Sequence, residues 1–333
     1  MTRRSSLLAA ALAGAAVSLG AAAASGAEVK LKAISAWPKT FPFVADTFLP
    51  FIELANKAGK GEYRIQYIGG PEIAKAPAQP EGFKIGLYDL MFTAMSYHRG
   101  IIREVDALSG NTTAPWIARA NGGLAALNGA VSKKINGRIM VWNAGVSFNL
   151  YLRTKPKMRP DGLVDLTGLK MRSVPTYDAF LKALGAITVT IQLPEIHSAL
   201  QRGIVDGLAF PELWSRRFGY ADFIKYRIYP KFMQLDTVIA LNNDSWNKLS
   251  RRGKDTLSMV STRFEIDDYF SWQPKIAAER EILNNKFGQT EIHLDPKAGE
   301  KYVALANKLV QDRLAAIGTP LAKKLGRLYH GRK

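Results

Sequence analysis

One stretch of the chain, residues 168–210, decides the fold: GLKMRSVPTYDAFLKALGAITVTIQLPEIHSALQRGIVDGLAF. Apolar segments of strand length alternate in it with segments of helical spacing, and glycines stand where the helices should end. The pattern predicts strands at Gly168–Ser173, at Ile187–Ile191 and up to Phe210, with helices at Tyr177–Leu184 and Pro194–Arg202 between them. This alternation is typical of a parallel sheet covered by helices.

The same alternation occurs near the start of the chain. Strands are predicted at Val29–Ser35, Tyr63–Ile68 and Asp89–Ala94, and helices at Phe43–Ala58 and near Ala78–Lys84. The two regions also share a junction, Gly86-Leu87-Tyr88-Asp89-Leu90 in one and Gly203-Ile204-Val205-Asp206-Gly207 in the other. In each junction the glycine suits a left-handed helix end, and the Asp side chain can accept backbone N–H groups. We therefore expect two similar α/β lobes that face each other.

The rest of the chain is expected to connect and brace the lobes. Strands are predicted at Gly137–Ser147, leading into Phe148–Arg153, and at Leu235–Leu241, and a helix begins at Asp244–Leu249. A long helical region covers Gly253–Phe287, with a kink expected at Pro274. The expected division is residues 28–148 with 236–276 for lobe I, and residues 149–235 with 277–333 for lobe II.

The N-terminus has the features of a signal peptide. Arg3 and Arg4 precede an apolar, alanine-rich run from Leu7 to Ala24, and the small residues Ser25 and Ala27 suit a signal peptidase. Residues 1–27 are therefore predicted to be removed on export to the periplasm. An uncleaved membrane anchor is the alternative. The paired arginines leave the twin-arginine route open, although Ser6 replaces the bulky apolar residue of that signal.

Composition narrows the classes of protein. The chain has no Cys, so it can form neither disulfide bonds nor thiolate metal sites. Its net charge is +18, and +16 remains without Arg3 and Arg4. Because Lys and Arg are dispersed rather than clustered, we expect no nucleic-acid partner and interpret the charge as a solvated surface that attracts small anions.

No catalytic motif is apparent. The sequence lacks a Gly-x-Ser-x-Gly elbow, a phosphate loop, a dinucleotide fingerprint and a His-Glu-x-x-His motif. The histidines, His98, His197, His293 and His330, lack the spacing of metal ligands, and for each a packing role is the simpler interpretation. An exported α/β hydrolase is the enzymatic alternative, but it requires a nucleophile–base pair or metal ligands. The protein is predicted to be no enzyme and to hold no cofactor or metal.

Arg172 is the strongest candidate for a binding residue. It lies near the end of the predicted strand Gly168–Ser173, at the edge where open α/β sheets bind ligands, and shares one face with Lys170. Its guanidinium offers a planar fork that matches a carboxylate with two parallel hydrogen bonds. From spacing alone, a surface salt bridge is an equal alternative.

Taken together, these motifs resemble a known family. Gly168–Arg172, Leu184-Gly185-Ala186, Pro194-Glu195 and Ala199–Gly207, with Tyr67–Glu72 and Asn242–Trp246, resemble the DctP-type solute-binding proteins of TRAP (tripartite ATP-independent periplasmic) transporters. The resemblance implies a two-lobed, type II-like periplasmic solute-binding fold with crossing strands and a long bracing helix. It also implies capture of one small organic carboxylate and its delivery, by a monomer, to the small and large TRAP membrane subunits. A periplasmic sensor of the same fold is the alternative.

The resemblance also implies the site residues. The arginine that matches Arg172 makes a bidentate contact with the ligand carboxylate. The other implied contacts come from strand ends: Trp37, Thr93 and Ser96 within the Phe92–Ser96 segment, Asn149, Arg153, Tyr177, Phe210 and Trp214. For each aromatic residue among them, core packing is the alternative.

One position departs from the family pattern. Many relatives place Glu or Asn after the Val-Asp-Gly motif, where this chain has Ala209 and Phe210. A metal that some relatives hold with such a Glu is therefore not expected. Phe210, with Trp214 nearby, favours a ligand with an aromatic or branched body over a compact dicarboxylate.

The signal peptide yields the first prediction. We expect the mature protein to begin at or within a few residues of Glu28, because Ser25 and Ala27 suit the peptidase. N-terminal sequencing of protein recovered from the periplasm measures this directly, and an intact Met1 there would contradict cleavage.

Overall fold

The structure, a computed structural model, describes residues 27–330, so the predicted signal peptide lies, apart from Ala27, outside the described residues. The strands in chain order are β1 Val29–Ser35, β2 Tyr63–Gly69, β3 Leu90–Ala94, β4 Gly137–Asn143, β5 Ser147–Leu152, β6 Lys157–Met158, β7 Val164–Asp165, β8 Lys170–Ser173, β9 Ile187–Thr190, β10 Gly207–Pro211, β11 Tyr226–Gln234, β12 Thr237–Asn242 and β13 Thr290–His293. The helices are α1 Leu49–Ala58, α2 Gln79–Lys84, α3 Pro115–Ala120, α4 Gly123–Ile135, α5 Asp178–Ala183, α6 Ile196–Gln201, α7 Asn243–Lys248, α8 Arg251–Phe287, α9 Pro296–Ala315 and α10 Pro320–His330. None of these helices is long and apolar enough to cross a membrane.

Two sheets form the two lobes. The first has the strand order β2-β1-β3-β12-β4, and the second has the order β13-β11-β5-β10-β8-β9. In the first sheet β1 runs parallel to β2 and β3, and in the second β8 runs parallel to β9 and β10. The strand–helix–strand order predicted for residues 168–210 therefore produces parallel pairs in the second lobe, as expected. β6 and β7 pair only with each other.

The chain crosses between the sheets on neighbouring segments. β4 of the first sheet continues into β5 of the second through Ala144–Val146, and β11 returns to β12 through Leu235 and Asp236. The two connections are hydrogen-bonded side by side, since the N–H of Leu235 donates to the carbonyl of Val146 at 3.0 Å. These short segments form the hinge between the lobes, because domain closure turns on a few residues at the ends of elements.

The long helix α8 braces the hinge. Its buried Glu265 accepts hydrogen bonds from Arg119 Nε at 2.6 Å and from the backbone N–H of Trp142 at 2.7 Å, which ties it to the first lobe. Its Glu279 pairs with Arg216 of the second lobe at 3.2 Å. A Cβ atom at Gly145 would lie 2.7 Å from the backbone of Tyr269, so only glycine lets the crossing strand approach α8 this closely. The helix continues through Pro274.

The repeated junction forms the same structure twice. Gly86 and Gly203 have φ values of +77° and +68°, the left-handed conformation expected of a helix end. Asp89 Oδ2 accepts the N–H of Lys32 at 2.6 Å, and Asp206 Oδ2 accepts the N–H of Lys170 at 2.8 Å. In each lobe the carboxylate therefore joins the start of one parallel strand to its neighbour. This shared feature, together with the strand–helix order, is the basis on which two similar lobes were expected.

Some elements differ from the prediction. Gly137–Ser147 is not one strand, because the chain leaves the sheet at Ala144 to cross to the other lobe. β11 was not predicted, since Pro230 argues against a strand. The ladder between β11 and β5 is interrupted between Ile228 and Met233, which accommodates that proline.

The C-terminal tail forms two helices that pack against different elements. α10, which the sequence placed in lobe II, packs against α4 and shares an apolar core with the first sheet through Leu325 and Tyr329. α9 packs on β11 in the second lobe. α9 also contacts Arg103–Leu108 of the first lobe, so the C-terminal helices touch both lobes, and the lobe boundaries stay a prediction.

The second prediction concerns the shared junction. Gly203→Ala should lower the free energy of unfolding by about 1–2 kcal/mol, because an L-residue is strained in the left-handed region. Nothing lies within 4 Å of the added Cβ atom, so a steric clash does not contribute. Urea unfolding measures the change.

Gly129→Ala is the matched control. Gly129 is exposed within α4, and its added Cβ atom also meets nothing within 4 Å. There alanine should stabilise the protein by about 1 kcal/mol, as in a helix interior. Equal effects of the two substitutions would contradict the backbone explanation.

Candidate functional site

A cavity of about 60 Å³ lies between the lobes, beside the hinge. The first lobe contributes Trp37, Phe43, Ala94, Ser96, Tyr97 and Thr237 to its wall. The second lobe contributes Phe148, Arg172, Val174, Thr176, Tyr177, Leu193, Phe210, Pro211 and Met233, and the hinge contributes Leu235 and Asp236. The wall is mostly aromatic and aliphatic, with a few polar groups at defined places, as in small-molecule sites generally.

Aromatic contacts close the lobes over this cavity. Phe43 of the first lobe packs edge-on against Trp214 of the second, with ring centroids 4.6 Å apart. Phe41 meets Phe218 across the same boundary at 5.1 Å. Asp46 and Arg217 form an ion pair between the lobes. The lobes are therefore in a closed arrangement, and the cavity is shielded from bulk water by side chains of both.

Arg172 is the only strongly basic side chain in the cavity wall of the described chain. It is held from two sides: Nε donates to the carbonyl of Ile191 at 3.0 Å, and Nη1 donates to the hydroxyl of Tyr177. That hydroxyl donates in turn to the carbonyl of Ala209 at 3.3 Å. Arg172 is 5% exposed, yet no carboxylate of residues 27–330 lies within 4.0 Å of it. The remaining N–H groups of the guanidinium are left for a ligand.

A second ionisable group, Asp236, lies in the cavity wall at the hinge. The N–H of Ser96 donates to its Oδ2 at 2.7 Å, and its own carbonyl accepts the N–H of Met95 at 3.1 Å. Burial raises the pKa of Asp236; the hydrogen bonds of Ser96 oppose this rise, and the charge of Asp106 adds to it. The cavity therefore contains one buried cation and one buried acid.

Tyr97 is sensitive to both charges. Burial raises the pKa of the Tyr97 hydroxyl, the charge of Arg172 lowers it, and that of Asp236 raises it. For Tyr177 burial also raises the pKa, and Arg172 opposes the effect. Both tyrosines therefore stay neutral hydrogen-bonding groups beside the guanidinium.

The sequence matches a known protein family over residues 35–313, the DctP model, described as bacterial extracellular solute-binding protein, family 7. This chain belongs to that family. The predicted membership among the TRAP periplasmic solute-binding proteins is thereby confirmed. The family consists of solute-binding transport proteins, which is consistent with the prediction of no enzymatic activity.

Individual relatives agree with the family match. The C4-dicarboxylate-binding periplasmic protein DctP of Rhodobacter capsulatus is 24% identical over 261 residues, which are 73% of this chain and 74% of that protein. A TRAP periplasmic solute-binding protein from Sulfitobacter sp. NAS-14.1, solved with bound β-D-galacturonate, has a TM-score of 0.73 at 15% identity and covers 91% of this chain and 100% of its own. DctP7 of Bordetella pertussis, an extracytoplasmic solute receptor binding pyroglutamic acid, has a TM-score of 0.73 at 15% identity, covering 90% and 99%. The predicted fold is confirmed by these structures.

In this DctP-family chain, part of the predicted site comes together. Trp37, Ser96, Arg172, Tyr177 and Phe210 all line the cavity. They come from β8, β10 and three loops, and meet because the ends of parallel strands of one lobe face the other lobe. Their contacts with a ligand stay a prediction.

The other predicted site residues lie outside the cavity wall. Arg153 donates to the carbonyl of Leu200 at the end of α6, and Asn149 donates to the carbonyl of Ile228 at 2.8 Å. Thr93 is buried against His98, and Trp214 packs between Phe43 and Trp272. In the closed arrangement these side chains support the walls, and a ligand contact by any of them is a prediction that this geometry does not favour.

Asp236 and Tyr97 line the cavity but were not predicted. Asp236 lies between the strands β11 and β12, which belong to different lobes. To identify Asp236 as a cavity residue, the sequence would have had to predict β11, and Pro230 argues against a strand there. Tyr97 directly follows Ser96 in a short helical turn. The sequence therefore predicted the segment that contains Tyr97, but not Tyr97 as a site residue.

His98 supports the cavity wall from behind. It is 1% exposed, and its Nε2 lies 2.8 Å from the hydroxyl of Thr93. Burial lowers the pKa of His98 to about 4. His98 is therefore neutral in the folded protein at neutral pH, in agreement with the packing role that the sequence favoured.

The third prediction follows from His98. As the pH falls below about 6.5, the unfolded chain binds a proton that the folded chain binds only near pH 4. The stability due to neutral His98 is thus fully present above pH 6.5 and is lost on acidification, by on the order of 3 kcal/mol. Urea unfolding of the wild type and of His98→Gln at pH 7 and pH 4.5 measures it, and the difference between the two proteins should change with pH.

Comparing the wild type with His98→Gln cancels the contributions that other titrating groups make to the unfolding free energy. Burial raises the pKa of Asp268 to about 6, which affects stability in the opposite direction. Asp268 is present in both proteins, so its contribution cancels in the difference. If the difference in unfolding free energy is the same at both pH values, His98 does not titrate as described.

Proposed function

We propose that this protein captures a small organic carboxylate between its lobes, with Arg172 as the anchor, and delivers it in the periplasm to the small and large TRAP membrane subunits. The observation that carries the proposal is a guanidinium, 5% exposed, that has no carboxylate of the described chain within 4.0 Å. A charge removed from water is costly unless an opposite charge compensates it. The ligand supplies the missing anion.

The groups around Arg172 hold it ready for a carboxylate. Ile191 and Tyr177 occupy Nε and one N–H of Nη1, which fixes the plane of the guanidinium. Both of these partners are neutral, so the positive charge stays available. A guanidinium fixed in this way loses little side-chain entropy when a carboxylate binds, and its planar fork matches the two carboxylate oxygens.

The residues of the cavity wall indicate which kind of ligand body fits. Trp37, Phe148 and Phe210 offer apolar surface, and relatives were solved with galacturonate and pyroglutamic acid, both organic acids. The cavity volume of about 60 Å³ is below the roughly 150 Å³ of a cavity known to hold benzene. The apolar wall suits either ligand body that the sequence left open, aromatic or branched.

The proposed binding needs no metal. Ala209 and Phe210 supply no carboxylate where some relatives have one, and no group of three or more His, Cys, Asp or Glu side chains in residues 27–330 is arranged to hold an ion. The anion is then compensated by Arg172 alone.

The ligand can be identified by screening. Thermal-shift measurements on the mature protein with a library of carboxylic acids identify compounds that raise the melting temperature, since a ligand that binds only the folded state stabilises it. Calorimetry then gives the affinity.

The fourth prediction concerns Arg172. Arg172→Ala should weaken binding by about 2–5 kcal/mol, because the ligand carboxylate would remain buried without a partner. Arg172→Lys keeps the charge but loses the fork, so its affinity should fall between those of Arg172→Ala and the wild type. Calorimetry on these proteins with the ligand identified by screening measures both changes.

Arg153→Ala is the matched control. Arg153 is another arginine of the second lobe; it is half-buried and lies outside the cavity wall. Its truncation should change affinity much less than that of Arg172. Near-wild-type affinity in Arg172→Ala, with the fold confirmed by circular dichroism, would refute the proposed anchor.

A further inference from the structure

Asp236 is an acid in the cavity wall that no basic residue neutralises. Its side chain is 7% exposed, and no Lys or Arg of residues 27–330 lies within 4.0 Å of it. Ser96 is the neighbouring residue that donates to the carboxyl group, through Oδ2. A carboxylate has about four acceptor positions, and the hydrogen bonds from Ser96 and from the backbone of Asp236 itself leave capacity for a further donor.

The position of Asp236 is fixed by the hinge. Its backbone carbonyl accepts the N–H of Met95, and its side chain accepts the N–H of the next residue, Ser96. Both bonds join the crossing segment to the short turn after β3. The carboxyl group is therefore held in place before any ligand arrives, which is a condition for selective recognition.

Asp236 and Arg172 face the same small space from different elements. Arg172 comes from β8 in the second lobe, and Asp236 comes from the link between β11 and β12. Tyr97, whose hydroxyl is affected by both charges, lies in the same wall. A ligand whose carboxylate is held by Arg172 therefore presents the rest of its body to Asp236.

We propose that Asp236 accepts a hydrogen bond from a hydroxyl, amide N–H or ammonium group of the ligand, and so selects carboxylic acids that carry such a donor. The inference rests on the proposed function, since the donor is placed by the carboxylate on Arg172. A hydroxy acid or an amino acid fills both polar positions. A keto acid or an unsubstituted acid leaves the remaining acceptor position of the buried Asp236 carboxyl group unpaired, which costs binding free energy.

A bound cation is the competing way to satisfy Asp236. Within residues 27–330, no group of three or more His, Cys, Asp or Glu side chains is arranged around it to hold a metal ion. A hard cation such as Ca²⁺ takes six or more oxygen ligands, which one carboxyl group and the hydroxyls of the wall do not readily supply. The donor on the ligand is therefore the simpler partner.

The test uses matched acids of two sizes on the mature protein treated with EDTA. The small set is propionate, pyruvate, D- and L-lactate and L-alanine; the larger set is phenylacetate and mandelate. In calorimetry the best donor-bearing acid should bind roughly 10- to 100-fold more tightly than its donor-free counterpart, the range expected of a hydrogen bond to a charged group. This ranking needs no variant and so does not depend on the folding of one.

Asp236→Asn separates recognition from support of the hinge. The amide oxygen can still accept the N–H of Ser96, whereas the atom that faces the ligand becomes a donor. The variant should lose the preference for donor-bearing acids and favour pyruvate relative to lactate. A purely structural Asp236 would lower the affinities of all the acids together and leave their ratios unchanged.

Asp89→Asn is the matched control. Asp89 is also 7% exposed and also accepts a backbone N–H, from Lys32, but it lies outside the cavity wall. The preference for donors should be the same in Asp89→Asn as in the wild type.

The possible results separate the two proposals. Equal binding of lactate, propionate and pyruvate to the wild type, an unchanged preference in Asp236→Asn, or a preference that requires added Ca²⁺ would each overturn the role of Asp236. In those cases loss of binding in Arg172→Ala would still support carboxylate capture. If no acid of either set and no acid of the screening library binds the wild type, the proposed function fails, and the inference fails with it.

Discussion

The cleft is built around one constraint, a buried guanidinium with no counter-charge within 4.0 Å among residues 27–330. Arg172 is removed from water by the lobes and is held by a backbone carbonyl and a tyrosine hydroxyl. Neutral partners can orient a cation, but they replace only part of its hydration. In the proposed function, an anion that pairs with Arg172 stabilises the closed arrangement more than one in which Arg172 is hydrated. This difference is the only means by which a ligand can shift an equilibrium between two arrangements.

The hinge connects the cavity to both lobes. The two crossing segments are bonded to each other through Leu235 and Val146, and α8 contacts both lobes through Glu265 and Glu279. Gly145 lets the backbone of one crossing segment lie against α8. The connections between the lobes are thus confined to a narrow strip, and Phe41 and Phe43 of the first lobe pack against Phe218 and Trp214 of the second. Asp236 belongs to the same strip and lines the cavity, so the connection between the lobes contributes directly to the cavity wall.

Local patterns in the sequence predicted much of this. Strand and helix periods, together with glycines at helix ends, identify the parallel units of both lobes, and the junctions at Asp89 and Asp206 form the bonds that were expected of them. These features are local, because they depend on residues a few positions apart. For the same reason the placement of Arg172 at a strand end in a ligand cleft followed from the sequence, while β11 did not. In β11 the interruption at Pro230 removes the local signal, although the strand is held by its neighbours β5 and β13.

By itself, then, the sequence determined the two α/β lobes and the family, and it singled out Arg172 as the candidate anchor for an acid. Only the tertiary structure decided which of the candidate side chains share one cavity. Arg153 and Arg172 look alike in the sequence, yet one bonds to the end of α6 and the other faces the cleft. Asp236 acquires its position from strands of opposite lobes that are joined by a two-residue link. The physical reason is that burial and proximity between lobes depend on how the hinge brings distant segments together, and no pattern of neighbouring residues encodes that distance.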